Sequence, residues 1–183
     1  MSVAGETPSQ TIGPFFHIGL EWKGGEKAEF VEPGKRITLT GCITDGTGAP
    51  IDDAMIETWQ MDASGRLPGA GEARPSGLTR CYTDKDGRYR IETVLPDPFS
   101  GPDGTRYAPQ LNVTIFMRGL LRALRTRVFL APQDAVQDDP FARAIGDATR
   151  LQTVVARPDA AQPESWTWDV RVQGDGETAF IDF

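Results

Sequence analysis

The sequence predicts an all-β protein, an antiparallel β-sandwich with an N-terminal arm and one short helix. Glycine and proline are plentiful, at 20 and 14 of 183 residues, and they are spread along the whole chain. Between them lie about nine short runs rich in Val, Ile, Thr and aromatic residues, the pattern of strands joined by turns. A chain of this length typically forms one domain. We place that domain at residues 31–183, after an arm at residues 1–30 that has no clear pattern.

The predicted strands are short, and several alternate apolar and polar side chains. The sequence D-K-D-G at residues 84–87 is typical of a tight hairpin turn. Two polar segments rich in Gly and Pro, at residues 62–77 and 96–106, predict loops. The predicted strands are residues 36–44, 53–61, 78–83, 88–94, 110–117, 124–130, 151–156, 166–173 and 178–182.

One helix is predicted directly after residue 139. Asp138 and Asp139 are suited to cap its first turn, and Pro140 is suited to its first position. Gly146 is a typical residue at a helix C-terminus. The segment between them, F-A-R-A-I, is therefore the one short helix expected in the sandwich.

Charge and hydropathy disfavour two classes of partner. The formal net charge is −7 at pH 7, whereas a general nucleic-acid-binding surface needs an excess of basic residues. No apolar run approaches the ~18 residues of a membrane span, and the first ten residues lack the basic and apolar regions of a signal peptide. We therefore expect a cytoplasmic protein with reduced cysteines that binds neither nucleic acid nor membrane.

Histidine and cysteine counts limit the possible metal sites. The chain has one histidine, His17, and two cysteines, Cys42 and Cys81. A site built on two or more histidines is impossible within this chain, and the cysteines are too far apart for a C-x-x-C zinc motif. We expect no metal to be held by this chain.

Three segments together resemble a known enzyme family. Residues 7–20 read T-P-S-Q-T-I-G-P-F-F-H-I-G-L, residues 41–60 contain D-G-T-G-A-P-I-D-D-A, and residues 80–96 contain T-D-K-D-G-R-Y. Their order is similar to that of the intradiol ring-cleavage dioxygenases, which use non-haem ferric iron to open catechols between the two hydroxyls. The resemblance runs from about residue 7 to the C-terminus and implies an oxidoreductase fold and activity.

The family holds Fe(III) with two tyrosines and two histidines, and the resemblance assigns each ligand a position here. Leu67 follows the stretch that begins W-Q and ends G-R, and Phe99 ends the turn P-D-P-F. Gln110 and Asn112 stand at the two positions of the family's H-x-H strand. Hydrocarbon side chains and neutral amides are poor ligands for a hard ferric ion. All four positions are therefore degenerate.

The resemblance thus implies an iron-free alpha subunit whose partner is an iron-bearing beta subunit. Fe(III) would be held by that partner and not by this chain, and the substrates would be a small aromatic acid and O2. By the family motif, this chain would line part of the substrate pocket with arm residues and with one arginine of a later strand. The implied substrate-binding residues are Thr11, Gly13, Pro14, Phe15 and Arg127.

The residues themselves leave other interpretations open. Without the resemblance, the arm turn at residues 11–14 is more typical of a loop that caps the sandwich than of a substrate-lining segment. The arginines at 118, 122, 125 and 127 predict either a solvated hairpin or a positive field for an anionic acid. Of these, only Arg127 is expected to alternate inward together with Phe129. His17 is either an acid–base group or a hydrogen-bonded structural residue.

Two alternative functions remain at this point. The first is a non-enzymatic β-sandwich binding module, which the second and third motif segments permit. The second is a self-sufficient iron dioxygenase, which would need His17 together with tyrosines from Tyr82, Tyr89 and Tyr107. The number of available iron ligands disfavours this second alternative, because the sequence has no second histidine.

Overall fold

The computed structural model describes residues 8–30, 34–62 and 77–182. Two β-sheets enclose a hydrophobic core to which both contribute, for example Leu39 and Ile91 from one sheet and Ile56 and Val113 from the other. The prediction of an all-β sandwich is therefore confirmed.

The first sheet is built around one long strand, with an antiparallel neighbour on one side and shorter partners on the other. The long strand pairs antiparallel with the fourth strand from Arg36 opposite Val94 to Cys42 opposite Arg88. Its pairings with two late strands are parallel, an exception to the predicted antiparallel pattern. The sheet contains β1 (Arg36–Thr44), β4 (Arg88–Val94), β9 (Arg157–Pro158), β10 (Ser165–Thr167) and β11 (Val170–Arg171).

The predicted strand at 166–173 is split into β10 and β11 at Trp168. The Trp168 carbonyl accepts a hydrogen bond from the buried Tyr89 hydroxyl at 2.6 Å. A Cβ at Gly41 would lie 1.8 Å from that same carbonyl oxygen, so only glycine allows the two chain segments to approach this closely.

The second sheet is wholly antiparallel. In spatial order its strands are β3 (Leu78–Tyr82), β2 (Met55–Trp59), β7 (Gln110–Phe116) and β8 (Leu124–Phe129). Alternate residues of each strand enter the core, so the other residues form an outer face. A separate two-stranded ribbon of β5 (Phe99–Ser100) and β6 (Arg106–Tyr107) lies in the predicted loop at 96–106.

The predicted helix is confirmed as α3 (Pro140–Ile145). The Asp139 side chain accepts from the Phe141 amide, and Gly146 ends the helix with a φ of 69°. Three more short helices lie in the described part of the chain, against the one expected. They are α1 (Phe16–Gly19), α2 (Gln133–Val136) and α4 (Ala148–Gln152).

The strands predicted at 151–156 and 178–182 are wrong within the described residues. Helix α4 extends into the first of them, because the Asp147 side chain caps it by accepting from the Arg150 amide. Only an isolated bridge from Val155 to Phe129 follows. The second segment lies beside β8 and is held there by single hydrogen bonds, such as that from the Ile181 amide to the Arg125 carbonyl at 2.7 Å.

The described part of the arm packs on the sandwich at two places. Helix α1 buries Phe16. Further on, the Ala28 amide donates to the Glu92 carbonyl at 2.8 Å, and the Arg80 amide donates to the Gly25 carbonyl at 2.7 Å. The boundary at residue 30 stays a prediction. No helix among the described residues is long and apolar enough to cross a membrane.

Candidate functional site

Most of the predicted site residues lie on or beside the outer face of the second sheet. Asn112 of β7 lies opposite Arg127 of β8 on one side and opposite Trp59 of β2 on the other. Gln110 lies opposite Phe129. Since residues two apart on a strand share a face, Arg127, Phe129, Gln110 and Asn112 all point away from the sandwich core. Arg127 and Phe129 do share a face, but it is the outer face of the sheet, whereas the sequence predicted an inward one.

Aromatic rings surround the Arg127 guanidinium. Its central carbon lies 6.0 Å from the ring centroid of Tyr107 and 5.7 Å from that of Phe141. Tyr107 in turn stacks on Phe99, with ring centroids 4.7 Å apart and planes 10° apart. The β5–β6 ribbon thus brings Phe99, one degenerate ligand position, near the strand that carries the other two. We call Phe99, Tyr107, Gln110, Asn112 and Arg127 the degenerate cluster.

The polar atoms of the degenerate cluster are sparsely paired. Asn112 Nδ2 donates to the Trp59 carbonyl at 3.2 Å. Gln110 is 7% exposed, and its side-chain oxygen is buried without a hydrogen-bond partner. Arg127 is half-buried and forms no ion pair with any described carboxylate. The carboxylate of Asp139 is already engaged, since its two oxygens accept from the amides of Phe141 and Ala108.

The donor set of the cluster does not fit Fe(III). Phe99 has no donor atom, and Gln110 and Asn112 offer only neutral amide groups. Across residues 8–30, 34–62 and 77–182, no group of three or more His, Cys, Asp or Glu could hold a metal ion. Leu67, the fourth degenerate position, lies outside the described residues.

The arm residues form a second location, at the turn between β7 and β8. Thr11 Oγ1 accepts from the Gly119 amide at 3.2 Å. Gly13 has a φ of 75°, in the left-handed region that favours glycine, and a Cβ there would meet no atom within 4 Å. Pro14 and Phe15 are exposed, and 76% of Phe15 is accessible to solvent.

Hydrogen bonds and one buried ring fix helix α1 to the sheet beside these residues. Phe16 is 4% exposed, and its carbonyl accepts from the Tyr82 hydroxyl at 3.0 Å. The Leu20 carbonyl accepts from Arg80 at 2.8 Å. Burial raises the pKa of the Tyr82 phenol, which keeps the hydroxyl in the protonated, donating form.

An apolar surface remains exposed along the same part of the arm. Phe15 and Ile18 are the most exposed of its large side chains, at 76% and 77%. Leu121, in the nearby β7–β8 connection, is 62% exposed. Several large apolar side chains exposed on one short segment are typical of an interaction surface. We call the group the arm surface, and its members are Ile12, Phe15, Ile18, Leu20, Trp22 and Leu121.

His17 has a structural position in this arrangement. Its Nε2 lies 3.2 Å from the Asp53 carbonyl oxygen, and its ring centroid is 4.6 Å from that of Tyr82. The self-sufficient iron site is not formed among the described residues, because Tyr89 is buried in the core and Tyr107 lies in the degenerate cluster. His17 therefore meets one of its three candidate tyrosines.

The structure does not bring the two groups of predicted substrate-binding residues together. Thr11 contacts the turn of the β7–β8 hairpin, whereas Arg127 lies three residues beyond Leu124 toward its open end. That strand distance alone is about 10 Å at about 3.3 Å per residue. One small molecule bound to a single copy of this chain would not contact both groups.

Sequence reasoning did not place three aromatic residues in or next to the degenerate cluster. Tyr107 and Phe141 lie against Arg127, and Trp59 is 47% exposed on the neighbouring strand. Trp59 is the last residue of β2, and its exposure depends on the packing around that end of the sheet. Phe141 belongs to a helix, so no strand periodicity could have placed it there.

Comparison with known proteins gives consistent matches. A family model described as Dioxygenase matches residues 19–174. The chain is 35% identical over 201 aligned positions to the protocatechuate 3,4-dioxygenase alpha chain of Burkholderia cepacia, covering 100% of both chains. It is 33% identical to the alpha chain of Pseudomonas putida, covering 97% of this chain and 96% of that one. A beta chain from Burkholderia cepacia is 27% identical, over 64% of this chain and 54% of that one.

Solved structures match at the level of the fold. Catechol 1,2-dioxygenase from Pseudomonas arvilla C-1 superposes with a TM-score of 0.63 and 22% identity, covering 84% of this chain and 58% of that one. Hydroxyquinol 1,2-dioxygenase from Pseudomonas putida DLL-E4 gives a TM-score of 0.60 and 23% identity, covering 90% and 65%. The present chain thus spans about three fifths of these solved chains.

Proposed function

The chain belongs to the intradiol ring-cleavage dioxygenase family, and on that premise we propose that it is the iron-free alpha subunit of a protocatechuate 3,4-dioxygenase. An iron-bearing beta subunit would complete the enzyme, which would convert protocatechuate and O2 to 3-carboxy-cis,cis-muconate in the cytoplasm. The degenerate cluster supports the assignment of iron to the partner, because its donor atoms suit Fe(III) poorly. The full-length likeness to alpha chains supports the assignment of this chain.

The arm surface is the observation that carries the proposed partner. Phe16, Tyr82 and Arg80 hold helix α1 on the sheet, yet Phe15 and Ile18 on the same helix turn are about three-quarters exposed. Interface cores are enriched in aromatic and aliphatic side chains that are buried on assembly. An arm that is fixed in place and leaves its apolar side chains uncovered is suited to dock against a partner subunit.

Docking would bring Thr11, Gly13, Pro14 and Phe15 to the partner's substrate pocket. Gly13 would let the main chain approach the substrate closely, because it carries no side chain. Pro14 would limit the motion of that segment. Phe15 would exclude water from one wall of the pocket. Fe(III) held by the partner would supply the Lewis-acidic centre that binds the catecholate and activates it for attack by O2.

These roles amount to positioning and shielding. Held in one orientation, the substrate needs less rearrangement to react, and this can account for a substantial part of a catalysed rate. Arg127, the remaining predicted substrate-binding residue, would attract the anionic carboxylate of the aromatic acid. Its distance from the arm suggests that it acts at a different place from residues 11–15.

Co-expression with a homologous iron-bearing chain of the same organism tests the proposal. We expect the two chains to co-purify, with iron in the partner and ring cleavage of protocatechuate by the complex alone. Gly13→Val should lower kcat/KM without dissociating the complex. Iron binding with ring-cleaving turnover in this chain alone would contradict the proposal. Failure of every homologous chain to associate would favour the non-enzymatic binding module.

A further inference from the structure

We propose that the outer edge of β4 is an interaction surface for a second copy of this chain, and that arm residues 25–29 cover this edge in the single chain. We call residues 25–29 the clasp. The proposed contact joins two identical strand edges, and it forms when the clasp leaves its place. It involves neither iron nor a beta subunit, so it does not rest on the function proposed above.

The clasp forms main-chain hydrogen bonds with the edges of both sheets. Among the described strands, β4 pairs only with β1 and β3 pairs only with β2, so each has one side without a neighbouring strand. The Ala28 amide donates to the Glu92 carbonyl and the Glu92 amide donates to the Glu26 carbonyl, both at 2.8 Å. The Arg80 amide of β3 donates to the Gly25 carbonyl at 2.7 Å. A strand edge without such cover presents N–H and C=O groups that can pair with another chain.

Strand alternation decides which residues of β4 face outward. Successive residues of an antiparallel strand turn their main-chain groups to opposite sides, so Arg88 and Arg90 face the same side as Glu92. The outward groups of Arg88 are already paired, because its carbonyl accepts from the Asp84 amide and its amide donates to Asp84 Oδ1, both at 2.9 Å. Arg90 and Glu92 are therefore the outward positions that a second strand would use.

These two residues make the edge complementary to itself. When two β4 edges pair antiparallel about Ile91, Arg90 of each copy lies opposite Glu92 of the other copy. Opposite charges directly across a strand pair are stabilising, and a twofold axis makes each such contact twice. In the single chain, Lys27 of the clasp lies 3.3 Å from the Glu92 carboxylate. Release of the clasp therefore frees both the main chain and the charge of Glu92 for a second copy.

The clasp depends on one glycine. A Cβ at Gly25 would lie 2.6 Å from the Arg80 carbonyl oxygen and 3.2 Å from the Trp22 ring. No larger residue can therefore approach β3 this closely without moving the main chain. Segments that are held by a few hydrogen bonds open more readily than the core of a domain. The clasp can thus leave the edge while the β1–β4 ladder stays formed.

A matched pair of glycine substitutions tests the clasp in the full chain, purified alone. Gly25→Ala places a methyl group against β3, whereas Gly19→Ala lies on the same arm at a position where a Cβ would meet no atom within 4 Å. By NMR, the Arg80 and Glu92 amides of Gly25→Ala should exchange with solvent at least about tenfold faster than those of the unchanged chain. Gly19→Ala should show no such change.

Sedimentation equilibrium of the same proteins tests the contact itself. We expect an association constant for self-association at least about tenfold larger in Gly25→Ala than in the unchanged chain or in Gly19→Ala. Ala28→Pro is a second way to release the clasp, because proline has no N–H to donate to the Glu92 carbonyl. Circular dichroism and thermal unfolding would confirm that each variant folds.

A charge exchange identifies the edge that pairs. Added to Gly25→Ala, either Arg90→Glu or Glu92→Arg places like charges opposite each other, so neither double variant should self-associate. An equimolar mixture of the two should associate, because each residue then faces an opposite charge on the other copy.

Several outcomes would overturn the proposal. Unchanged exchange of the Glu92 amide in both Gly25→Ala and Ala28→Pro would show that the clasp does not cover the edge. Faster exchange without stronger self-association would exclude the edge as an interaction surface, and so would double variants that associate as strongly as Gly25→Ala. All these measurements use the isolated chain. A chain that behaves as expected in them but co-purifies with no iron-bearing partner would contradict the subunit role alone.

Discussion

The two ends of the β7–β8 hairpin differ in what they leave without a partner. At the turn end, Thr11 and Gly119 satisfy each other's polar groups, and Arg118 pairs with Asp53, while the arm surface remains apolar and exposed. At the open end the aromatic rings stack on one another, while the Arg127 cation and the Gln110 oxygen remain unpaired. The outer face of the second sheet therefore has exposed apolar side chains near one end of the hairpin and unpaired polar groups near the other.

This difference indicates two kinds of binding partner. An apolar surface gains free energy when another protein removes it from water, at about 25 cal/mol per Å². An unpaired cation and an unpaired buried acceptor gain from a small ligand with complementary polar groups. The arm surface is therefore suited to a partner subunit, whereas the degenerate cluster differs from it in having unpaired polar groups.

The largest expected effect is at the residue that fixes the arm. Phe16→Ala removes a buried ring whose loss typically costs about 3 kcal/mol or more, so helix α1 should leave the sheet. Limited trypsin digestion should then cut at Lys23 and Lys27 many times faster. Ile18→Ala, on the same helix but 77% exposed, is the matched control. Equal cleavage rates in the two variants would show that Phe16 does not anchor the arm.

A somewhat smaller effect is expected from a charge placed on the arm surface. Phe15→Glu should weaken association with the iron-bearing partner about 30-fold, since an aromatic interface anchor contributes about 2 kcal/mol. The melting temperature of the isolated chain should hardly change, because Phe15 is 76% exposed. The control is Lys85→Glu, in the hairpin turn before β4, which makes the chain more acidic away from the arm and should leave the association unchanged. Unchanged association of Phe15→Glu, measured by sedimentation, would exclude the arm surface as the interface.

At the open end of the hairpin we expect a substitution that raises the stability of the protein rather than lowering it. Gln110→Met replaces the unpaired amide with an apolar chain of similar shape, so the ligand-free protein should be more stable by about 1 kcal/mol. Urea unfolding measures this change. Asn112→Leu serves for comparison, because Asn112 is exposed and its amide donates to the Trp59 carbonyl. A loss of stability in Gln110→Met would show that its oxygen does have a partner.

The elements that could be predicted from the sequence are those marked by residue patterns within the element itself. β1 begins and ends at residues 36 and 44 as expected, and α3 begins at Pro140 after its Asp139 cap. Alternation, turn residues and capping residues act within a few positions of one another, so a single sequence contains them. The arm anchor at Phe16 carries no such signal, because its burial depends on Tyr82, far along the chain.

The degenerate cluster shows where local reasoning stops. The resemblance supplied Phe99, Gln110, Asn112 and Arg127, and strand alternation placed Arg127 and Phe129 on one face. Neither the resemblance nor strand alternation could show that Tyr107 would lie near Arg127, because that contact requires the β5–β6 ribbon to fold against a distant strand. Nor could it show that Gln110 is buried without a partner, since pairing depends on the whole tertiary environment.

The smallest expected effect is at the far end of the arm, where an ion pair adds to the main-chain hydrogen bonds between the arm and the first sheet. Lys27 Nζ lies 3.3 Å from the Glu92 carboxylate, and hydrogen bonds from Lys27 and Arg90 lower the Glu92 pKa. A pKa that is lower in the folded protein than in the unfolded chain stabilises the fold at neutral pH, and this contribution disappears as the pH falls through the folded value. Glu92→Gln should therefore cost less than about 1 kcal/mol at pH 7, with no cost in acid. Urea unfolding of both proteins across that range measures the difference, and a cost that persists after Glu92 is protonated would show that packing, rather than charge, attaches this part of the arm.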